Sequence, residues 1–453
     1  MREDALCEHA SDRASWAQRV RPERRIHEMT LLEKAGYLWK YLASPRLGAP
    51  ETVLHHFAEQ RLLQEQLRKL PSADQAIQAR IAFAGDIMWI RSHWNSFLPL
   101  ETLRIFREFD GIVANLETMI STRLPVNEFL PDVLRFNSRK GLLTSFRDSS
   151  GASLFAALGL ANNHVLDFGD AGALDTLSML KGEGIATSGI SKTEEEPKWT
   201  SFSRGGISFG FFSGCFGMND EAAIANSKLS VNLLPGLAPE VPGVEPDLSL
   251  AERALREMQE RKIDVKVVFL HWGSEFELYP TARTMKLARA LARAGADFIV
   301  GSHPHVPQPM EIFYLNGFER QLPERLQSEY SALQPGGSAL LQSEDGVPRA
   351  ACVLYSMGNF VTTMYTFFCR SALLADVSFY RDSGTGRVHW KTPKFSYFYN
   401  QAPGLTGTRA LLPMEEFRRS ISAPTKFIGR IERKISFLNE HVGIGESARP
   451  REP

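Results

Sequence analysis

Six short segments place side chains capable of chemistry at the ends of apolar runs: Gly85-Asp86, Asn115-Leu116-Glu117, Ala161-Asn162-Asn163-His164, His271-Trp272-Gly273-Ser274-Glu275, Gly301-Ser302-His303-Pro304-His305 and Ser356-Met357-Gly358-Asn359-Phe360. Four of the 11 histidines fall in them, a concentration that asks for a common purpose. Carboxylate, amide and neutral imidazole form a mixed oxygen and nitrogen donor set, which suits Mn, Fe or Zn better than Ca, whose ligands are oxygens. The same groups can move protons with no metal at all. Taken singly each has a plainer use. A Gly-Asp after a strand is commonly a turn in which Asp bonds its own following backbone. Asn162-Asn163-His164 can cap a loop, and His271 can be a hydrogen-bonded core histidine. His303-x-His305 is the most specific pair, because alternate residues of an extended chain point the same way.

The elements that must position these residues follow from hydrophobic periodicity. Short apolar runs alternate with amphipathic stretches from about Ile81 onward, a pattern that favours α/β architecture. Spacing predicts a helix over Leu250–Arg261, a strand over Val265–Leu270, a helix over Thr281–Ala294 and a strand over Asp297–Val300. The two strands run directly into His271 and into Gly301-Ser302-His303, beyond the C-terminal strand ends where open α/β sheets bind ligands. Helical spacing of Leu31, Leu32, Ala35, Leu38 and Leu42, and of Leu54, Phe57, Leu62 and Leu67, predicts a helical N-terminal extension over 1–78. The core domain is expected over 79–400, with a Gln, Ser, Gly and Pro-rich surface insertion at about 318–349 before a strand at Cys352–Tyr355. Residues 401–453 read as a helical appendage with Ile421, Phe427, Ile428, Ile431 and Ile435 on its packed face, ending in a disordered tail.

Composition bounds the rest. A chain of 453 residues that is 43% apolar can bury a large core. Its 52 Lys and Arg offset 52 Asp and Glu, which removes the charge excess expected of a nucleic-acid or anionic-membrane binder. Cys7, Cys215, Cys352 and Cys369 are scattered without zinc-site spacing or disulfide density and read as reduced thiols. The charged N-terminus lacks the apolar core of a secretory signal, and no stretch approaches the roughly 20 apolar residues that span a bilayer. A soluble, cytoplasmic protein is expected.

The blocks GDIM, ANLET, LANNHVLDFGDAG, HWGSEFE, GADFIVGSHPHVPQP and YSMGNFV, in that order over about residues 80 to 365, resemble the CapA family of poly-γ-glutamate capsule synthesis. That family is similar in fold to calcineurin-like metallophosphoesterases, so the resemblance implies a four-layer α/β/β/α metallophosphatase-like sandwich. It also implies metal ligation by Asp86, Glu117, Asn163, His271, His303 and His305. Asp86 matches the first-motif aspartate, and Glu117 stands in the place of the bridging carboxylate. His164 matches the imidazole that protonates the leaving group, and Asp167 is placed to orient it. Two departures from the phosphoesterase pattern matter. Asp86 is followed by Ile87 and Met88 where Asp-x-His is the rule, so one metal lacks a nitrogen ligand, and Glu117 replaces an aspartate. One or two ions of Mn, Fe or Zn, or none, are compatible with such a set.

Three functions stay open at this point. The first is a metal-dependent hydrolase of a γ-glutamyl or other peptide-like substrate. The second is a metal-independent acid and base catalyst, epimerase-like, that tailors peptides. The third is a non-catalytic component of polymer synthesis. Trp272, Glu275, Ser356 and Asn359, in loops after the site strands, are expected to line the mouth and bind substrate: a flat apolar face, hydrogen-bond partners for an amide, and a carboxylate that disfavours a second negative charge.

Overall fold

In the computed structural model, which describes residues 30–43, 49–69, 76–90, 92–126, 135–237, 245–316, 346, 348–401, 410–421 and 425–443, the apolar runs become two stacked β-sheets. The first has the order Ala410–Pro413, Lys394–Gln401, Ser371–Arg381, Ala79–Met88, Gly111–Glu117, Phe155–Gly159, Ala186–Ser188. Asn359–Val361 pairs beside Ala79–Met88, and Val388–Trp390 beside Ser371–Arg381. The second runs Met310–Leu315, Arg349–Leu354, Phe298–Ser302, Val265–His271, Ile207–Cys215, Trp199–Arg204. The central strands of each sheet are parallel. Their carboxyl ends therefore all open on one edge of the sandwich.

The two-residue period of a strand explains the layering. Ile81 and Phe83 point into the core between the sheets, with Phe209, Phe211, Val267, Phe269, Phe298 and Val300 opposite them. Ala82 and Ala84 point the other way, into a core closed by Ile105, Phe106, Ala173 and Leu180 from the helices Leu100–Phe106 and Gly169–Gly182. Val268, Leu270 and Ile299 likewise pack outward, against Leu255, Met258, Leu287 and Leu291 from Ser249–Glu260 and Ala282–Arg293. Helix, sheet, sheet, helix is the four-layer order that the resemblance implies. Each fully buried phenylalanine of the central core contributes about 2 kcal/mol by leaving water.

The predicted elements of the second sheet lie within three residues of those observed, the strand Arg349–Leu354 beginning earliest relative to its expected start at Cys352, and Thr281 caps Ala282–Arg293 by accepting from the Thr284 amide at 3.1 Å. Two differences bear on the site. The strand Ala410–Pro413 extends the first sheet, so the segment after Gln401 adds a strand before its helices Met414–Ser420 and Thr425–His441, whose Ile431, Ile435 and Leu438 join the inter-sheet core. The helix Leu31–Ala43 leaves its apolar stripe outward, Leu31 being 86% exposed, and turns Tyr37, Lys40 and Tyr41 inward, where they find charged and aromatic partners. Glu51–Lys69 is fixed to the second sheet by a buried network in which Glu311 meets His56 at 2.7 Å, Arg289 at 3.0 Å and the Tyr355 hydroxyl at 2.7 Å. The Gln-rich insertion, the tail after Gly443 and Cys7 lie outside the described residues; Cys215, Cys352 and Cys369 are buried and free. No helix among the described residues is long and apolar enough to cross a membrane.

Candidate metal centre

Five parallel strands deliver the polar side chains to the common edge. Asp86 lies opposite Asn115, and Glu117 closes its own strand. Asn163 and His164 follow Phe155–Gly159, His271 ends Val265–His271, and His303 and His305 follow Phe298–Ser302. Neither His303 nor His305 is extended, contrary to the expectation for an alternating pair. Both sit at positive φ, 92° and 59°, a backbone region that side-chain-bearing residues avoid, and the turn so made sets their rings 5.9 Å apart. Such strain persists only where surrounding structure enforces it, and it concentrates at functional sites.

The centre of the cluster is Glu117. It is wholly buried, and neither carboxylate oxygen receives a hydrogen bond from a described donor. Around its Oε1 stand His271 Nε2 at 3.6 Å, His164 Nε2 at 3.8 Å and His305 Nε2 at 4.0 Å. Burial, then the neighbouring Asp86 carboxylate, drive its pKa well above the usual carboxylate range. His303 is buried with both ring nitrogens lacking a hydrogen-bond partner among the described residues, and burial holds it neutral by lowering its pKa to about 4. Buried polar atoms are nearly always satisfied, so these orphans ask for a partner of positive charge.

The other members are held by partners that fix their direction. Asp86 accepts from Asn115 Nδ2 at 2.8 Å and from the His303 amide at 3.1 Å. The His271 ring, kept neutral by burial and by nearby histidines, donates from Nε2 to Asn163 Oδ1 at 2.9 Å and accepts from Ser302 Oγ at 3.0 Å. His305 donates from Nδ1 to Asn359 Oδ1 at 2.9 Å, which turns its Nε2 toward Glu117 and Glu275. His164 donates from Nδ1 to Asp167 Oδ2 at 2.8 Å, its ring stacked on Phe136 at 4.0 Å, and the Phe136 amide gives Asp167 a second bond at 2.6 Å. Carboxylate and amide partners of this kind set the tautomer and basicity of a ligating or proton-transferring histidine.

Two groups can each hold an ion: Asp86, Glu117 and His271, and Glu275, His303 and His305, with one ligand atom per residue and all such atoms of a group within 4.8 Å of one another. The fit is good in chemistry as well as distance, since oxygen and neutral nitrogen donors are mixed and the least satisfied atoms are central. Bound divalent ions would be held by these six, with Asn163 beside His271.

The structure thus brings together Asp86, Glu117, Asn163, His164, Asp167, His271, His303 and His305, and adds Glu275 to them as a candidate ligand. It places three expected mouth residues otherwise. Trp272 is fully buried in the outer core of the second sheet and donates from Nε1 to the Tyr355 carbonyl at 3.0 Å. Ser356 is buried and donates to the Val306 carbonyl, and Asn359 spends its side chain on His305 and the Cys369 carbonyl. All three organise the site from behind and leave no polar atom facing a substrate. Sequence reasoning missed Asn115 and Ser302, which lie inside the quoted segments, and Phe136 and Asn219, for which nothing but the fold supplies a signal. Asn219 Oδ1 accepts from Asn163 at 2.9 Å, and its Nδ2 lies 3.2 Å from His164 Nε2.

Known proteins are similar to parts of this chain. Residues 80–364 match the family described as bacterial capsule synthesis protein PGA_cap. The PGA biosynthesis protein CapA of Bacillus subtilis (strain 168) is 28% identical over 212 residues, 46% of this chain and 51% of that protein. The capsule biosynthesis protein CapA of Bacillus anthracis is 30% identical over 160 residues, 35% of this chain and 37% of that protein. The matches thus span about half, or less, of the length of these relatives. Among solved structures, the calcineurin-like phosphoesterase YfkN from Bacillus subtilis is similar with a TM-score of 0.35 and 11% identity, over 80% of this chain and 97% of that one. A 5'-nucleotidase precursor from Thermus thermophilus gives 0.33 and 13%, over 80% and 58%.

Proposed function

The chain belongs to the PGA_cap family of bacterial capsule synthesis proteins, and from that premise we propose that it is a metal-dependent hydrolase of a γ-glutamyl or related peptide-like amide. One observation carries the reading: the wholly buried Glu117 carboxylate, without a hydrogen-bond donor among the described residues, ringed by imidazole nitrogens at 3.6 to 4.0 Å. When bound, a divalent ion supplies concentrated positive charge that polarises an acyl oxygen. The chain's own part is distinct. His164, with Nδ1 donating to Asp167, presents Nε2 to the site, takes a proton from the attacking water and passes it to the departing amine. Phe136 stacked on its ring excludes water from that side. The choice of a peptide-like amide rests on the family. The printed names of both Bacillus relatives, which concern PGA and capsule biosynthesis, point the same way.

The test is turnover of glutamyl peptides and of a chromogenic phosphate ester by one preparation loaded in turn with Mn and Zn, with metal content measured. Peptide cleavage that a chelator abolishes is expected. Efficient ester cleavage with no peptide turnover would restore an ordinary phosphoesterase. Asp167→Asn is expected to lower peptide turnover about tenfold at unchanged metal content, because it alters only the group that orients His164. A second reading, proton abstraction and return at Cα without metal, is favoured by one feature: His164 Nε2, oriented by Asp167, stands 3.8 Å from the Glu117 carboxyl, so that two groups able to carry a proton meet one face of a substrate. Solvent deuterium entering a peptide in the presence of chelator would select it.

A further inference from the structure

We propose that the helix Leu31–Ala43, outside the segment matched to the family, is a working part of the metal centre: its inward face holds Glu275 in place as the ligand that substitutes for the histidine missing after Asp86. The inference rests on the metal-dependent reading above and names how this chain completes the weaker half of its site. Asp86 is followed by Ile87 and Met88, so the first motif has no imidazole to offer. Glu275 brings a carboxylate to the neighbouring group, against His305, whose Nδ1 lies 3.6 Å from Asp86 Oδ2. Glu275 Oε1 lies 3.7 Å from His305 Nε2, within the ligand-distance group it forms with His303 and His305.

Glu275 does not hold itself there. It sits in the loop between Val265–His271 and Ala282–Arg293, and the next residue, Phe276, has φ of 63°, a left-handed backbone that a bulky side chain adopts only under constraint. The constraint comes from the N-terminal helix. Tyr37 and Tyr41 place their rings 5.5 and 5.1 Å from that of Phe276, and Lys40 pairs with Glu277 at 2.7 Å with both side chains largely buried. The Tyr37 hydroxyl lies beside the Glu275 carboxylate itself. Tyr41 anchors the helix across the cleft, its hydroxyl accepting from the Tyr365 amide at 2.6 Å. Three consecutive residues of the loop, 275 to 277, are thus gripped by three residues on one helix face. The outward apolar stripe of the same helix shows that packing of leucines is not what docks it.

Tyr37 is therefore a positioning residue, and its effect should appear in metal binding before it appears in stability. The experiment is Mn²⁺ titration of the full chain, with free Mn²⁺ read by electron paramagnetic resonance, for wild type, Glu275→Gln and Tyr37→Phe, alongside thermal unfolding of each metal-free protein. Tyr37→Phe keeps the ring on Phe276 and removes only the hydroxyl. Both variants are expected to bind their weakest Mn²⁺ equivalent about tenfold or more less tightly, as partners of ligands do, with metal-free unfolding temperatures within a degree or so of wild type. Wild-type binding by Tyr37→Phe overturns the inference and leaves the metal-dependent reading standing, as does a loss of affinity accompanied by a large fall in unfolding temperature. A wild-type chain that takes up neither Mn²⁺ nor Zn²⁺ overturns the metal-dependent reading and this inference together.

Discussion

Glu117→Gln is expected to lower divalent-metal affinity about 100-fold or more while leaving the metal-free chain as stable as wild type, or slightly more so. The two halves of this result have one cause. Glu117 is fully buried, receives no hydrogen bond from a described donor and lies beside the equally buried Asp86. Burial and that second carboxylate oppose its ionisation in the metal-free chain. A neutral amide of the same shape needs no proton taken up on folding and has an N–H that can donate to Asp86. In the presence of metal the balance reverses, because the ion loses a charged oxygen of the Asp86, Glu117 and His271 group, one that also lies 4.0 Å from His305 Nε2 in the other group. Metal content after dialysis and unfolding temperatures with and without metal measure both halves. The metal-free shift should be upward or nil, about 1–3 °C if the relief is about 1 kcal/mol. Retained metal with a fall of several degrees would make Glu117 a structural carboxylate and remove the foundation of the hydrolase reading. Stability spent on an unsatisfied group of this kind is the usual mark of a functional site.

Much of this arrangement is legible in the chain because strands announce their ends. The run Val265–Leu270 followed by His271, and the run to Val300 followed by His303, place backbone at the edge of a sheet with no knowledge of neighbours. Side-chain direction is harder, and Trp272 shows why. It shares a loop with the site, but the two-residue alternation that sends His271 toward Glu117 sends the next residue to the opposite face, into the outer core. Asn359 lies in the site region, as its segment implies, but its oxygen is already committed to His305, so it supports a histidine where a substrate contact is expected. Tyr37 illustrates what periodicity cannot supply. Its helix is evident from Leu31, Leu38 and Leu42, but those residues face outward, and the partner of Tyr37 lies far along the chain on a loop whose conformation is itself strained. The strand Ala410–Pro413 is only four residues long and ends in proline, too short to give an alternation signal.

Gly301→Ala is expected to damage the protein heavily for so small a change. Gly301 sits one strand position before Ser302, where Val265–His271 and Phe298–Ser302 run side by side. A methyl group added there would lie 1.9 Å from the Tyr355 carbonyl oxygen and 2.3 Å from Trp272 Nε1, distances no real contact tolerates. The first obstacle is backbone, and the second is a ring locked in the core, so neither can yield cheaply. Relief requires pushing apart the Trp272 to Tyr355 hydrogen bond, and Tyr355 in turn carries the hydroxyl that reaches Glu311 in the buried charge network. Overpacking of a dense core costs about 1–3 kcal/mol, and the loss of a buried hydrogen bond adds about 1 kcal/mol or more. A fall in stability of about 3 kcal/mol or more is therefore expected, read as a lowered denaturation midpoint at unchanged slope. The same shift should reach the site, because the His303 amide bonds Asp86 and the Met357 amide bonds the Gly301 carbonyl at 3.2 Å. Metal affinity should fall even at temperatures where the variant remains folded. Gly151→Ala is the control: its added methyl meets nothing within 4 Å, so only the cost of its positive φ remains, and metal binding should be untouched. A Gly301→Ala protein as stable as that control would mean that the strand ends carrying His271 and His303 are not packed as closely as described, and the geometry of the whole centre would have to be redrawn.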